Sequence, residues 1–248
     1  MLNGISLFSG IGGIDLALSE WVRTICYCEN DRYAQAVLLS RMHDGSLHRA
    51  PIWDDVCTFE TKPFEEMVDI IFGGFPCQDI SVAGLGAGLG GSRSGLFFEI
   101  VRLTRELRPR FIFLENVPAI TVRGLDRVLL EITALGYDCR WTIVSAAEMG
   151  APHIRERWFL LAHANGECSG DERKTMGRTR TGMGEWNSKS FNASKCWDFA
   201  RASNGFPASR ICRVDDGLSA RMDRHHALGN AVVPIQAREA FVRLCGLK

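Results

Sequence analysis

The chain has 248 residues, 46% of them hydrophobic and 23% charged, with 29 basic and 29 acidic side chains that cancel to a formal net charge of zero. These values describe an ordinary globular protein of one large domain or one domain with a small appendage, and they exclude a collagen-like, low-complexity or strongly basic chain. The nine cysteines are odd in number, scattered and never spaced Cys-x-x-Cys, which speaks against a disulfide framework and a zinc ribbon and for reduced thiols in a cytoplasmic setting. No metal site is expected. No signal peptide precedes Met1–Phe8 and no apolar run is long enough to span a bilayer, so no membrane partner is expected either.

In chain order, Ile5–Phe8 reads as a strand, followed by the glycine turn Gly10-Ile11-Gly12-Gly13 and a helix over Ile14–Trp21. Thr24–Cys28 is a second strand that ends at Glu29-Asn30-Asp31 before a helix over Tyr33–Met42. Pro51–Val56 is a short extended piece carrying Asp55. Val68–Phe72 is a β-branched apolar run of the kind found in buried parallel strands. It leads into Gly73-Gly74-Phe75-Pro76-Cys77-Gln78, where glycines and proline turn the chain and set a cysteine just past the strand end. A helix follows over Gly95–Leu107, then Phe111–Leu114 delivers Glu115-Asn116-Val117 to the same rim. A helix near Leu125–Leu135 and strands at Cys139–Ser145 and Trp158–Ala162 complete an α/β domain over residues 1–164. Strands separated by helices imply right-handed crossovers and a mostly parallel, doubly wound sheet.

From Asn165 the texture changes. Residues 165–218 are rich in Gly, Ser, Thr, Asn, Arg and Lys, yet hold Trp186, Phe191, Trp197, Phe199 and Phe206, too many aromatics for a linker. They read as a small irregular lobe. Between Arg173 and Arg213 the anions are Glu185 and Asp198 alone, against nine cations that include Arg173, Lys174, Arg178 and Arg180. Such a window suits a phosphate-contacting face. Residues 219–248 return as an amphipathic helix over Pro234–Leu247.

In open α/β sheets ligands bind beyond the carboxyl ends of the strands, so Cys77 and Glu115 arrive where chemistry occurs. The glycine turn lets a cofactor approach the backbone, Glu29 is placed to bind ribose hydroxyls, and Asp55 to accept from an adenine amino group. A nucleoside cofactor accounts for both acids.

The ordered set Phe8-Ser9-Gly10-x-Gly12-Gly13, Glu29, Asp55-Val56, Pro76-Cys77-Gln78, Glu115-Asn116-Val117, Arg155-x-Arg157 and Gly229-Asn230-Ala231-Val232 resembles the DNA cytosine-5 methyltransferase family, over about residues 3–162 and 214–245. The resemblance implies a Rossmann-like, S-adenosylmethionine-dependent fold with a small target-recognition lobe. It implies that Phe8, Gly10, Gly12, Glu29, Asp55, Val56, Pro76, Leu96 and Asn230 form or shape the S-adenosylmethionine pocket. Cys77 would be the nucleophile toward cytosine C6, Glu115 its partner on the ring, and Arg155 and Arg157 would hold the thiolate and the base O2. Gln78 and Ser81 would contact duplex DNA beside the flipped base, with Arg173, Lys174, Arg178 and Arg180 on the phosphates. A monomer is expected, with room for a cognate restriction endonuclease.

Three departures stand out. Ser6 replaces a frequent aspartate, Asn30 an aromatic, and His153 a glutamine. Two other functions share much of this pattern: tRNA cytosine methylation, although the Cys-Phe-Thr triplet of that branch is absent, and a silent DNA-binding relative.

Overall fold

Alternation of apolar residues on both faces makes the central strands burial-competent from two sides, and they assemble accordingly. The computed structural model describes residues 1–76, 95–165 and 231–247. Strands β1 (Leu2–Leu7), β2 (Val22–Cys28), β3 (Ile52–Trp53), β4 (Ile70–Gly74), β5 (Phe111–Asn116), β6 (Tyr137–Ser145) and β7 (Glu156–Ala164) form one seven-stranded sheet in the order β3-β2-β1-β4-β5-β7-β6. The β1–β2, β2–β3, β1–β4 and β4–β5 pairs are parallel; β7 runs antiparallel to both β5 and β6. Between β6 and β7 lies a single 3-10 turn, Ala147–Met149, so this last pair is a hairpin-like return rather than a crossover.

Helices α1 (Gly13–Leu18), α2 (Arg32–His43), α3 (Leu96–Leu107), α4 (Ile120–Arg123), α5 (Leu125–Ala134) and α6 (Pro234–Cys245) flank the sheet. Along β5, Ile112 and Leu114 enter one core and Phe113 the other. The first core is completed by Phe97, Ile100, Val101, Leu103 and Leu107 of α3, at the spacing that puts them on one helical face. The second is roofed by α1 and α6, where Phe241 packs edge-on to Phe113 at 5.3 Å and against Trp21 at 5.4 Å. Complete burial of a side chain of this size contributes about 2–3 kcal/mol, so truncating Phe113 to alanine removes that and leaves a cavity as well.

Strand β2 carries a bulge. Gly4 pairs with Thr24 but Ile5 pairs with Cys26, which leaves Ile25 as an extra residue. A one-residue slip reverses which face a side chain meets. Thr24 therefore faces α1, where its hydroxyl donates to Asp15 at 2.9 Å, whereas Cys26 and Cys28 enter the opposite core. Ser6 donates to the same carboxylate at 2.9 Å.

Helix α6 starts with Pro234 in its first turn and stops at Gly246, whose φ of 66° places it in the left-handed region. The 165–218 lobe falls outside the described residues apart from Asn165, and so does residue 219–230 of the C-terminal segment. Among the described residues no helix is long and apolar enough to cross a membrane.

Candidate active site

Strand β1 is flanked by β2 on one side and β4 on the other, so the chain reverses its winding direction there. The carboxyl ends of β1 and β4 diverge at such a point and open a crevice. A cavity of about 630 Å³ occupies it, lined by Phe8 to Ile11, Glu29, Gly74 to Pro76, Glu115 to Val117 and Arg157, with Ala231 and Val232 from the C-terminal segment.

The β1 side is built by backbone geometry. Phe8, Gly10 and Gly12 have φ of 51°, 53° and 79°, and a left-handed phenylalanine is a strained conformation that the surrounding contacts must hold. Ser9 supplies part of that hold: its hydroxyl donates to the Ser6 carbonyl at 3.0 Å, and its backbone N–H to the Cys28 carbonyl at 3.1 Å. Arg41 of α2 donates to the Ile11 carbonyl at 2.6 Å. Glu29 is 8% exposed and closes the turn, accepting from the Gly10 N–H at 2.7 Å and the Asp31 N–H at 2.8 Å. Phe8, Gly10, Glu29 and Pro76 all line the cavity. Gly12, Asp55, Val56 and Leu96 do not. Asp55 is exposed and caps the 3-10 turn Val56–Thr58 through the Cys57 N–H at 2.9 Å, so only Ile52–Trp53 of the expected extended piece is strand. Val56 is buried in the first core, its carbonyl accepting from Arg102 at 3.1 Å, and Leu96 packs at the edge of that core.

The β4 and β5 side is tighter. A Cβ on Gly73 would stand 1.9 Å from the Leu7 carbonyl oxygen, and one on Gly74 would stand 2.5 Å from Oε2 of Glu115. The paired glycines thus admit a neighbouring strand and a carboxylate. Glu115 Oε1 pairs with Arg157 Nε at 2.8 Å, both side chains being largely covered. Burial pushes the Glu115 carboxyl up to about 7, although Arg157 and, more weakly, Arg155 pull it down. Near neutrality this group is therefore divided between acid and carboxylate, which suits a hydrogen-bond donor to a ring nitrogen. Arg155 donates to the Ala231 carbonyl at 2.8 Å, and its own pKa is lowered by burial and by the charge of Arg157. Asn116 is 3% exposed; its amide donates to the Phe75 carbonyl at 3.0 Å and its oxygen accepts from the Val117 N–H at 2.8 Å. That bond ties the strand bearing Glu115 to the segment entering Cys77. Asn116 had no assigned role in the sequence, where its one signal was its place next to Glu115.

Glu115 and Arg157 thus line one end of the crevice, with Glu29 and Phe8 at the other, while Arg155 stands outside the lining but near enough for its charge to act on Glu115. Cys77, Gln78, Ser81, Arg173, Lys174, Arg178, Arg180 and Asn230 lie outside the described residues. Among the described residues no group of three or more His, Cys, Asp or Glu is arranged to hold a metal ion.

A parallel sheet whose winding reverses at β1, one antiparallel strand inserted next to the far edge, and a glycine turn opposite an acidic strand end define a Rossmann-like methyltransferase fold. The model of the C-5 cytosine-specific DNA methylases matches residues 2–195, more than half of the chain, and the chain belongs to that family. It is 36% identical over 159 residues to the type II methyltransferase M.CviJI of Paramecium bursaria Chlorella virus IL3A, covering 64% of this chain and 42% of that protein. To the type II methyltransferase M.HhaI of Haemophilus parahaemolyticus it is 33% identical over 169 residues, covering 66% of this chain and 50% of that one. The chain therefore spans about half the length of the curated relatives it matches. Among solved structures, the Dnmt2 methyltransferase of S. pombe superposes with a TM-score of 0.55 at 24% identity, covering 69% of this chain and 54% of that one, a likeness of fold.

Proposed function

We propose that this protein transfers a methyl group from S-adenosylmethionine to C5 of a cytosine in duplex DNA. The observation that carries the reading is the Glu115 carboxyl, poised near neutrality and held by Arg157 at the end of the crevice that Pro76 enters immediately before Cys77. The same crevice is lined by this group and by the Glu29 end, where a buried carboxylate and the strained Phe8 suit a nucleoside.

The chemistry follows from the weakness of cytosine C5 as a nucleophile. The Cys77 thiolate forms a bond to C6, and the displaced electron pair of the C5–C6 double bond makes C5 enamine-like. Glu115 donates a hydrogen bond to N3 and stabilises the charge that addition places on the ring. S-adenosylmethionine, when bound, would supply the electrophilic methyl group that C5 takes, its sulfonium sulfur leaving as a neutral thioether. Loss of the C5 proton to a base and breakage of the Cys77–C6 bond then restore the aromatic ring and the thiolate. A free thiol is only about 3% ionised at pH 7 for a pKa near 8.5, so positive charge from Arg155 raises the reactive fraction.

Reaching C5 requires the base to leave the duplex, at a cost of a few kcal/mol. The basic window with Arg173, Lys174, Arg178 and Arg180, and Gln78 and Ser81, which follow Cys77 in the sequence, are the groups we assign to DNA contacts that offset it. A cognate endonuclease would cut the same sequence when unmodified.

Expression in cells that lack cytosine methylation, followed by bisulfite sequencing, tests the proposal. Modified cytosines in one sequence context are expected, and none with Cys77→Ser. Methyl incorporation into tRNA but not into duplex DNA would overturn it.

A further inference from the structure

Residues 231–236 touch the site at three points. The Ala231 carbonyl accepts from Arg155 Nη2 at 2.8 Å. Val232 lies against the cofactor-side turn, so close that a Cβ on Gly13 would meet the Val232 carbonyl oxygen at 3.0 Å. The third point is Gln236, in the first turn of α6 and 0% exposed. Its Nε2 donates to the Val144 carbonyl at 2.6 Å and to the Arg155 carbonyl at 2.5 Å.

Those two carbonyls stand on opposite sides of one neck. Val144 pairs across the sheet with Arg157 of β7, and Arg155 immediately precedes β7, so the amide bridges the two ends of the 146–155 connection, of which Arg155 is the last residue. The arrangement carries a cost: Gln236 Oε1 is buried with no partner among the described residues. A buried polar atom left unpaired is unfavourable, and an aliphatic side chain would fill the same space without it. Both amide protons are nevertheless spent on the neck.

We infer that Gln236 is a positioning residue for the arginine pair, fixing the backbone of Arg155 and the register of Arg157 toward Glu115, while Ala231 fixes the Arg155 guanidinium. The C-terminal segment thereby links the glycine turn to the arginine end of the crevice. This inference rests on the methyltransferase reading, in which Arg155 and Arg157 face the base and the thiolate. The alternative is that Gln236 merely fastens α6 to the sheet.

The test uses the full chain with Gln236→Met, Arg155→Ala and the double variant. Methyl transfer to DNA lacking methylcytosine is measured alongside hydrogen exchange followed by mass spectrometry. Gln236→Met is expected to lower the methyl-transfer rate roughly 10- to 100-fold, the scale of a small misplacement of reacting groups. It is also expected to speed exchange across residues 146–157 while leaving β1 and β4 unchanged. In the double variant the loss should be smaller than the product of the two single losses, because part of the effect of the amide runs through the Arg155 side chain and the rest through the register of Arg157. Multiplying losses, or exchange that rises evenly over the sheet, would assign Gln236 to general stability and overturn the inference. If Gln236→Met does not fold, Gln236→Asn, which keeps the donors but withdraws them, takes its place in the same cycle. A wild-type protein that methylates no DNA counts against the proposed function, and the exchange pattern still decides the role of Gln236.

Discussion

The Glu115 carboxylate lies over Gly74 so closely that a single methyl group at position 74 would sit 2.5 Å from Oε2. The obstacle is the far end of a side chain, which can swing, so Gly74→Ala should fold. Overpacking of this kind costs about 1–3 kcal/mol, and the displaced carboxyl should lower methyl transfer roughly 100-fold. Gly73→Ala differs in kind, because its Cβ would meet the Leu7 backbone carbonyl at 1.9 Å and force β1 from β4. Thermal melts and methyl-incorporation rates compare the two. Full activity in Gly74→Ala would mean that the position of Glu115 is immaterial.

Burial holds the Glu115 carboxyl near 7, above its ordinary 4.5, against the pull of Arg157 and Arg155. In the proposed reaction the protonated form donates to the ring, so kcat/KM should fall as pH rises through about 7. Glu115→Gln should be slow but should lack that limb. Arg157→Ala removes the nearest cation, so the limb should move to higher pH while the rate falls. A limb that stays in place in Glu115→Gln would assign it to another group.

Much of this architecture is legible in the chain itself. Runs such as Val68–Phe72 and Phe111–Leu114 are short, β-branched or aromatic and bounded by breakers, so they identify buried strands, and α3 declares itself by its apolar spacing. Two local features escaped because they depend on neighbours. The bulge at Ile25 has no compositional mark, yet it decides which face Thr24 and Cys26 meet. Val56, expected in the pocket beside Asp55, is drawn into the core by the 3-10 turn that Asp55 caps. In the site, Glu115 and Arg157 are readable as a pattern, whereas the bonds from Asn116 to Phe75 and from Gln236 to Val144 and Arg155 join residues 41 to 92 positions apart and exist only once the sheet is assembled.

Asp15 offers a test of the packing behind the glycine turn. It is buried, accepts from Ser6 and Thr24, and is pushed up to about 6 from 3.8 by burial. A carboxyl whose pKa is raised on folding binds its proton more tightly in the native state. Its contribution to stability is therefore fully present below 3.8 and is lost as pH rises through about 6, a swing of about 3 kcal/mol. Asp15→Asn does not titrate there, so the stability of the wild type relative to this variant should increase between pH 7.5 and about 4 by up to that amount. Urea denaturation midpoints at the two pH values measure it, and an unchanged difference would place no buried proton on Asp15.

The bond from the Asn116 amide to the Phe75 carbonyl restrains the chain two residues before Cys77. Asn116→Asp keeps the shape and the acceptor for the Val117 N–H but replaces the donor with an oxygen facing an oxygen. Leaving the buried Phe75 carbonyl without its partner costs about 1–3 kcal/mol. The loosened approach should slow formation of the covalent adduct with DNA containing 5-fluorocytosine more than about tenfold, since alignment of thiol and ring carries much of the rate. Cofactor affinity should change little, because Glu29 and the glycine turn lie at the other end of the crevice. A carboxyl in this covered position resists ionisation, and when protonated it regains an O–H to donate to Phe75. Trapping by Asn116→Asp should therefore recover as the pH is lowered, relative to the wild type at the same pH. A deficit that is the same at every pH would show that the donor on residue 116 does not hold the approach to the proposed nucleophile, Cys77.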